Sequence, residues 1–123
     1  MPFTGFINTS SQSHKITDSG AGGTAFSIGK RSYNGSIGVA PDTLPAENIT
    51  EMLSKKGYNT GVVSTSSVTH ATPACFYAHV KLRKMEEEIA RQLVHSDIDF
   101  LRGEAQGFCA KKRRVQLFRF FTI

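Results

Sequence analysis

The chain of 123 residues has the length of one domain, and its 39% hydrophobic and 20% charged content fits a soluble globular protein or a piece of one. No apolar run approaches the roughly 20 residues of a membrane span, and the opening "MPFTGFINTS" has neither the basic nor the apolar region of a signal peptide. The net charge of +5 comes entirely from residues 102–123, because residues 1–101 carry nine basic and nine acidic side chains; a broadly basic surface that steers toward nucleic acid is excluded.

Residues 1–15 are polar and turn-like and read as loop. The stretch "ITDSGAGGTAFSIGKRSYNG", residues 16–35, predicts a helix from about Ser19 to Gly29, with Asp18 as its N-cap. That puts the Ser19 hydroxyl among unpaired N–H groups at the positive end of a helix dipole, a natural place for a phosphate. The small residues of Gly-Ala-Gly-Gly remove bulk and let a ligand approach the backbone. The run matches neither the Walker phosphate loop nor the Gly-x-Ser-x-Gly nucleophile elbow.

"RSYNGSIGVAPDTLP", with its Asn-Gly pair and prolines, reads as irregular surface chain. Residues 46–56 place Ile49, Met52 and Leu53 on one face, acids early, lysines late and Gly57 as the stop, which predicts a helix. "NTGVVSTSS" predicts a short buried strand over 59–65 centred on Val62 and Val63. In "VTHATPACFYAHVKLRK", Thr72 suits an N-cap and Pro73 the first helical position, with Arg83 ending the stretch. Residues 84–95 carry the stripe Met85, Ile89, Leu93 and a Glu87–Arg91 pair at i, i+4, and "SDIDFLRG" predicts a second strand over 97–102. Helix, glycine, β-branched strand, loop and helix in that order predict a crossover between parallel strands. Two strands are too little sheet to stand alone, so the expectation is a segment of a larger α/β domain.

The end of the chain breaks this pattern. Four consecutive basic residues, 111–114, precede a run with Phe118, Phe120 and Phe121 and no clean period. It reads as a solvated loop running into a strand or as sequence that does not continue the domain, ahead of a nucleic-acid or membrane-surface patch. Cys75 and Cys109 form no metal pair and no disulfide framework, and read as buried or semi-buried thiols. His14, His79 and His95 make no metal-ligand spacing, and Glu86, Glu87 and Glu88 fan around a helix as a solvated face.

Several motifs stand in order: "TDSGAGGTAFS", "YNGSIGV", "GYNTGVVSTSSVTHATPACFYAHV", then Arg83 and "MEEEIARQLVHSDIDFLRG". Together they resemble the alkaline phosphatase family over about residues 3–103. The resemblance implies an α/β fold, a partial parallel-sheet sandwich of the alkaline phosphatase type with helices packed on the sheet. It divides the chain into a partial alkaline phosphatase domain, 1–103, and an uncertain basic and aromatic tail, 104–123.

The same resemblance implies hydrolysis of phosphate monoesters through a phosphoserine, with Zn2+ and Mg2+. Ser19 is the implied nucleophile, on the zinc side. Arg83 is the phosphate-binding arginine, and Asp18 caps the helix and positions Arg83. Thr72 is the implied magnesium ligand, with His70 nearby in its second shell. The family's early Asp-Gly-Met-Gly aspartate, its later magnesium glutamate, its Asp-x-x-x-His and Asp-His motifs and a further histidine are not found in this sequence. The expectation is therefore a family segment truncated at both ends, and the alternative is a catalytically incomplete phosphate-binding fragment without zinc ligands. Expected partners are phosphate monoesters, with no nucleic acid and no membrane span, and the family implies a possible homodimer and a periplasmic or secreted location.

Overall fold

A computed structural model describes residues 3–104. Helix α1 spans Ser19–Ile28, α2 spans Ile49–Lys55, β1 spans Gly61–Ser67, α3 spans Ala71–Ala74, α4 spans Glu86–His95 and β2 spans Phe100–Glu104. The basic, aromatic stretch and Cys109 lie outside the described residues.

β1 and β2 pair in parallel, with Val62 opposite Leu101, and the register shifts between Val63 and Ser67. The two strands are neighbours as expected, but each sits about two residues later than the sequence pattern placed it. Pairing begins where Thr60 O accepts the N–H groups of Asp99 and Phe100, while the Asp99 carboxylate takes Thr60 N–H at 2.9 Å. The strand is not buried on both sides: Val62 packs on the core, whereas Val63 is 70% exposed. Successive side chains of a strand face opposite ways, so among the described residues one face of this sheet is covered. That is a two-stranded α/β unit; the expected sandwich is not seen within it.

The core gathers Ile37, Val68, Ala74, Cys75, Tyr77, Ala78, Val80, Ile89, Ile98 and Leu101. Ile37 and Val39 overturn the expectation of irregular surface chain after α1, since both are essentially inaccessible. Ile37 forms an antiparallel bridge with Val80 and Val39 with Pro45. A stretch with many turn residues can still enter a core when distant partners satisfy its backbone, and here they do.

Local chemistry explains the helices. At α2, Asn48 accepts Glu51 N–H while the Glu51 carboxylate takes Asn48 N–H, a reciprocal capping box. α4 buries Ile89 and packs Leu93, but Met85 lies outside the helix as its N-cap. Its ion pair is Glu88–Arg91 at 2.7 Å, not the expected Glu87–Arg91, and Gln92 also donates to Glu88. Glu88 is therefore engaged, and its carboxyl is drawn down to about 2 by the bonds from Arg91 and Gln92.

α3 corrects the expected N-cap. Its N-cap is His70, without a side-chain capping bond, and Thr72 and Pro73 are helical residues. The first-turn N–H groups of a helix have no intrahelical partner, so Pro73 costs nothing in this place. Arg83 ends no helix; it lies in the turn between Val80 and α4. The His79 ring spans Gly38 O at 2.6 Å and Glu51 Oε1 at 2.9 Å, and His79 N–H donates to Gln92, so one histidine joins α2, the 37–39 segment and α4.

Candidate active site

α1 begins where Asp18 Oδ1 accepts Ala21 N–H at 2.9 Å, and it ends at Gly29, whose φ of 71° is the left-handed C-cap conformation. Its buried face is Gly20, Ala21, Gly23, Thr24 and Ser27, small residues and not an apolar stripe. The glycines serve packing. A Cβ on Gly20 would stand 2.8 Å from Ser36 O, and one on Gly23 would stand 3.0 Å from Cys75 Sγ. Small residues at these two positions let α1 lie against the 35–36 turn and α3.

Thr24, fully buried, donates to Ser36 O at 3.2 Å and accepts Gly38 N–H at 3.0 Å. Cys75 lies beside it, and burial pushes its thiol up to about 11. The close fit of α1 fixes where its first residue points.

At that end Ser19 is exposed, and its Oγ accepts from Arg83 Nη1 at 2.7 Å. The same nitrogen reaches Asp18 Oδ2 at 3.4 Å, and Arg83 Nη2 stands 3.2 Å from His70 Nε2. A guanidinium only donates, so the His70 bond uses the neutral ring with Nε2 unprotonated. Asp18, Ser19, His70 and Arg83 thus form one connected group, although His70 and Arg83 lie 13 residues apart and Ser19 and Arg83 lie 64 apart. Thr72 is exposed on α3, and its hydroxyl has no hydrogen bond to that group.

Burial works against the charge of Asp18, but the N–H groups of Ala21 and Gly35 and the Arg83 guanidinium outweigh it and hold the carboxyl below its ordinary 3.8. An ionised Asp18 keeps Arg83 turned toward the N-terminus of α1. Gly35 had no place in the expected site. Its N–H lies 3.1 Å from each Asp18 oxygen, and its C=O accepts Arg83 N–H at 2.7 Å. The signal available for it was the Asn-Gly pair, which marks a turn without saying what the turn holds.

Among the described residues, no group of three or more His, Cys, Asp or Glu side chains could hold a metal ion. Ser19, Thr72 and His70 do not make up that lack: Ser19 and His70 are turned to Arg83. The described residues do not fit a zinc or magnesium centre on their own.

A hydroxyl and a guanidinium converging at a helix N-terminus make a corner suited to an anion, on a small α/β unit. The chain belongs to the alkaline phosphatase family, whose model matches residues 1–103. It is 48% identical over 90 residues to an alkaline phosphatase of Schizosaccharomyces pombe, covering 73% of this chain and 17% of that protein. It is 36% identical over 107 residues to alkaline phosphatase 4 of Bacillus subtilis, covering 82% and 23%. The solved alkaline phosphatase of the Antarctic bacterium TAB5 superposes with a TM-score of 0.77 at 51% identity, over 78% of this chain and 28% of that one. The chain thus spans under a third of the length of these relatives. A mutant of the TAB5 enzyme has been solved with magnesium bound in its M3 site. No described helix is long and apolar enough to cross a membrane.

Proposed function

We propose that this chain supplies the nucleophile and the phosphate-binding arginine of a phosphomonoesterase. Ser19 Oγ forms the new O–P bond as the ester P–O bond breaks, giving a phosphoserine and the free alcohol; water then releases phosphate and restores the hydroxyl. Arg83 grips two phosphoryl oxygens. Its planar fork suits that geometry, and the two nitrogens that now hold Ser19 and His70 are the ones a phosphoryl group would take. Asp18 keeps the fork aimed at the helix start. The observation that carries this reading is the 2.7 Å bond between Arg83 Nη1 and Ser19 Oγ.

Zinc and magnesium, with Thr72 and His70 on the magnesium side, belong to the same proposal through family membership, as do an exported location and a homodimer. The chain spans under a third of the length of its relatives, so in this reading hydrolysis belongs to a longer protein containing the segment, and the 123-residue chain binds phosphate without turnover. A helix terminus contributes about 1 kcal/mol, whereas enzymatic rate enhancements need about 8 kcal/mol or more. Purified residues 1–123 with added zinc and magnesium should hydrolyse an aryl phosphate negligibly. A longer protein containing the segment should be active and lose most turnover on Ser19→Ala. Robust zinc-dependent hydrolysis by the 123-residue chain would overturn its reading as an incomplete segment, and full activity of the Ser19→Ala protein would refute Ser19 as the nucleophile.

A further inference from the structure

One short turn touches both halves of the site. Ser36 N–H donates to Tyr33 O at 3.2 Å, and Gly35, the third residue of the turn, has a φ of 86°, a left-handed conformation that glycine adopts without steric cost. Asn34, just before it, turns its carboxamide toward the chain entering α1. Its Oδ1 accepts Asp18 N–H at 3.3 Å, and its Nδ2 donates to Ile16 O at 3.1 Å. The C=O of one residue and the N–H of the residue two further on point the same way along extended chain. A side-chain amide, with donor and acceptor in one plane, pairs with both as a neighbouring strand would.

The other side of the turn holds the arginine segment. Gly35 C=O accepts Arg83 N–H at 2.7 Å, and Tyr33 Oη donates to Lys81 O at 3.0 Å. Gly35 N–H meanwhile reaches both Asp18 carboxylate oxygens. Residues 16–18 and 81–83 are thus each fastened to residues 33–35. We propose that Asn34 is a positioning residue: by fixing residues 16–18 to the turn, it sets the separation between Ser19 and the Arg83 guanidinium. Its bearing on catalysis rests on the function proposed above; the positioning itself does not.

The test uses the full 123-residue chain as wild type, Asn34→Ala, Asn34→Asp and, as a stability control, Ile89→Val in the distant core. NMR follows the Arg83 Nε–H resonance and the Asp18 carboxyl titration without ligand, then the affinity for inorganic phosphate. Asn34→Ala should move the Arg83 resonance toward that of a free arginine, raise the Asp18 midpoint and weaken phosphate binding about tenfold. Asn34→Asp keeps size and acceptor but loses the donor to Ile16 O and adds charge beside Asp18. It should weaken binding further, and it gives the same readouts if Asn34→Ala does not fold. Ile89→Val should lower Tm and leave all three readouts alone. Wild-type values for the Arg83 resonance and Asp18 midpoint in Asn34→Ala would overturn the proposal, as would equal changes in Ile89→Val. If both move while the wild type binds no phosphate, the positioning role stands and the phosphate site falls.

Discussion

Around Ile89 the molecule is held by apolar burial: Ile89 of α4, Ile98 and Leu101 of β2 are buried members of one apolar cluster. Around Ser19 it is held by polar bonds to an exposed corner, where Asp18 alone meets Ala21, Gly35 and Arg83. Apolar packing is non-directional and tolerates small changes of shape, whereas the corner depends on single bonds of set direction. The first region should therefore govern stability and the second should govern what binds.

Ile89→Ala separates the two most sharply. Removing a fully buried side chain should cost about 2–5 kcal/mol by chemical denaturation, with the Arg83 resonance unchanged in the folded fraction. A loss below about 1 kcal/mol would mean that α4 contributes little to the core.

Two helical glycines sharpen the role of α1. A Cβ on Gly20 meets Ser36 O at 2.8 Å, so Gly20→Ala should destabilise by about 1–3 kcal/mol despite alanine's better helix propensity. A Cβ on Gly22 meets only Thr17, at 3.8 Å, so Gly22→Ala should stabilise by about 0.5–1 kcal/mol. Thermal melts of the two variants read the difference, and equal effects would mean that close approach does not place the helix.

The smallest expected effect is on pH dependence. The folded carboxyl of Asp18 lies below its ordinary 3.8, so its contribution is present above that value and is lost as pH falls through the folded one. Stability measured from about pH 5 down to about pH 2 should fall less steeply in Asp18→Asn than in wild type. Parallel profiles would show that the corner adds nothing to acid stability.

The contrast also explains what the sequence disclosed. α2 and α4 were legible because their signals are local: early acids, late lysines and the stop at Gly57 for α2, and an apolar stripe through Ile89 and Leu93 for α4. Asp18 announced α1, whose buried face of glycine, alanine, serine and threonine leaves no hydrophobic period to read. β1 was found by the β-branched pair Val62 and Val63, but the exposure of Val63 was not, because burial depends on what covers the sheet. Ile37 and Val39 were hidden among turn residues, since their burial comes from pairing with Val80 and Pro45. The site was legible only as an assembled motif. No local rule joins Ser19 to an arginine 64 residues away, and Asn34 and Gly35 looked like an ordinary turn.

Titration of the 123-residue chain with inorganic phosphate, in wild-type, Ser19→Ala and Arg83→Ala forms, tests the central claim that this corner holds a phosphoryl group. Wild type should bind saturably. Ser19→Ala should bind as well or better, because Arg83 no longer donates to the hydroxyl, while Arg83→Ala should lose affinity by about a hundredfold with its two charge-assisted bonds. Equal phosphate affinity in wild type and Arg83→Ala, with both chains folded, would contradict the account.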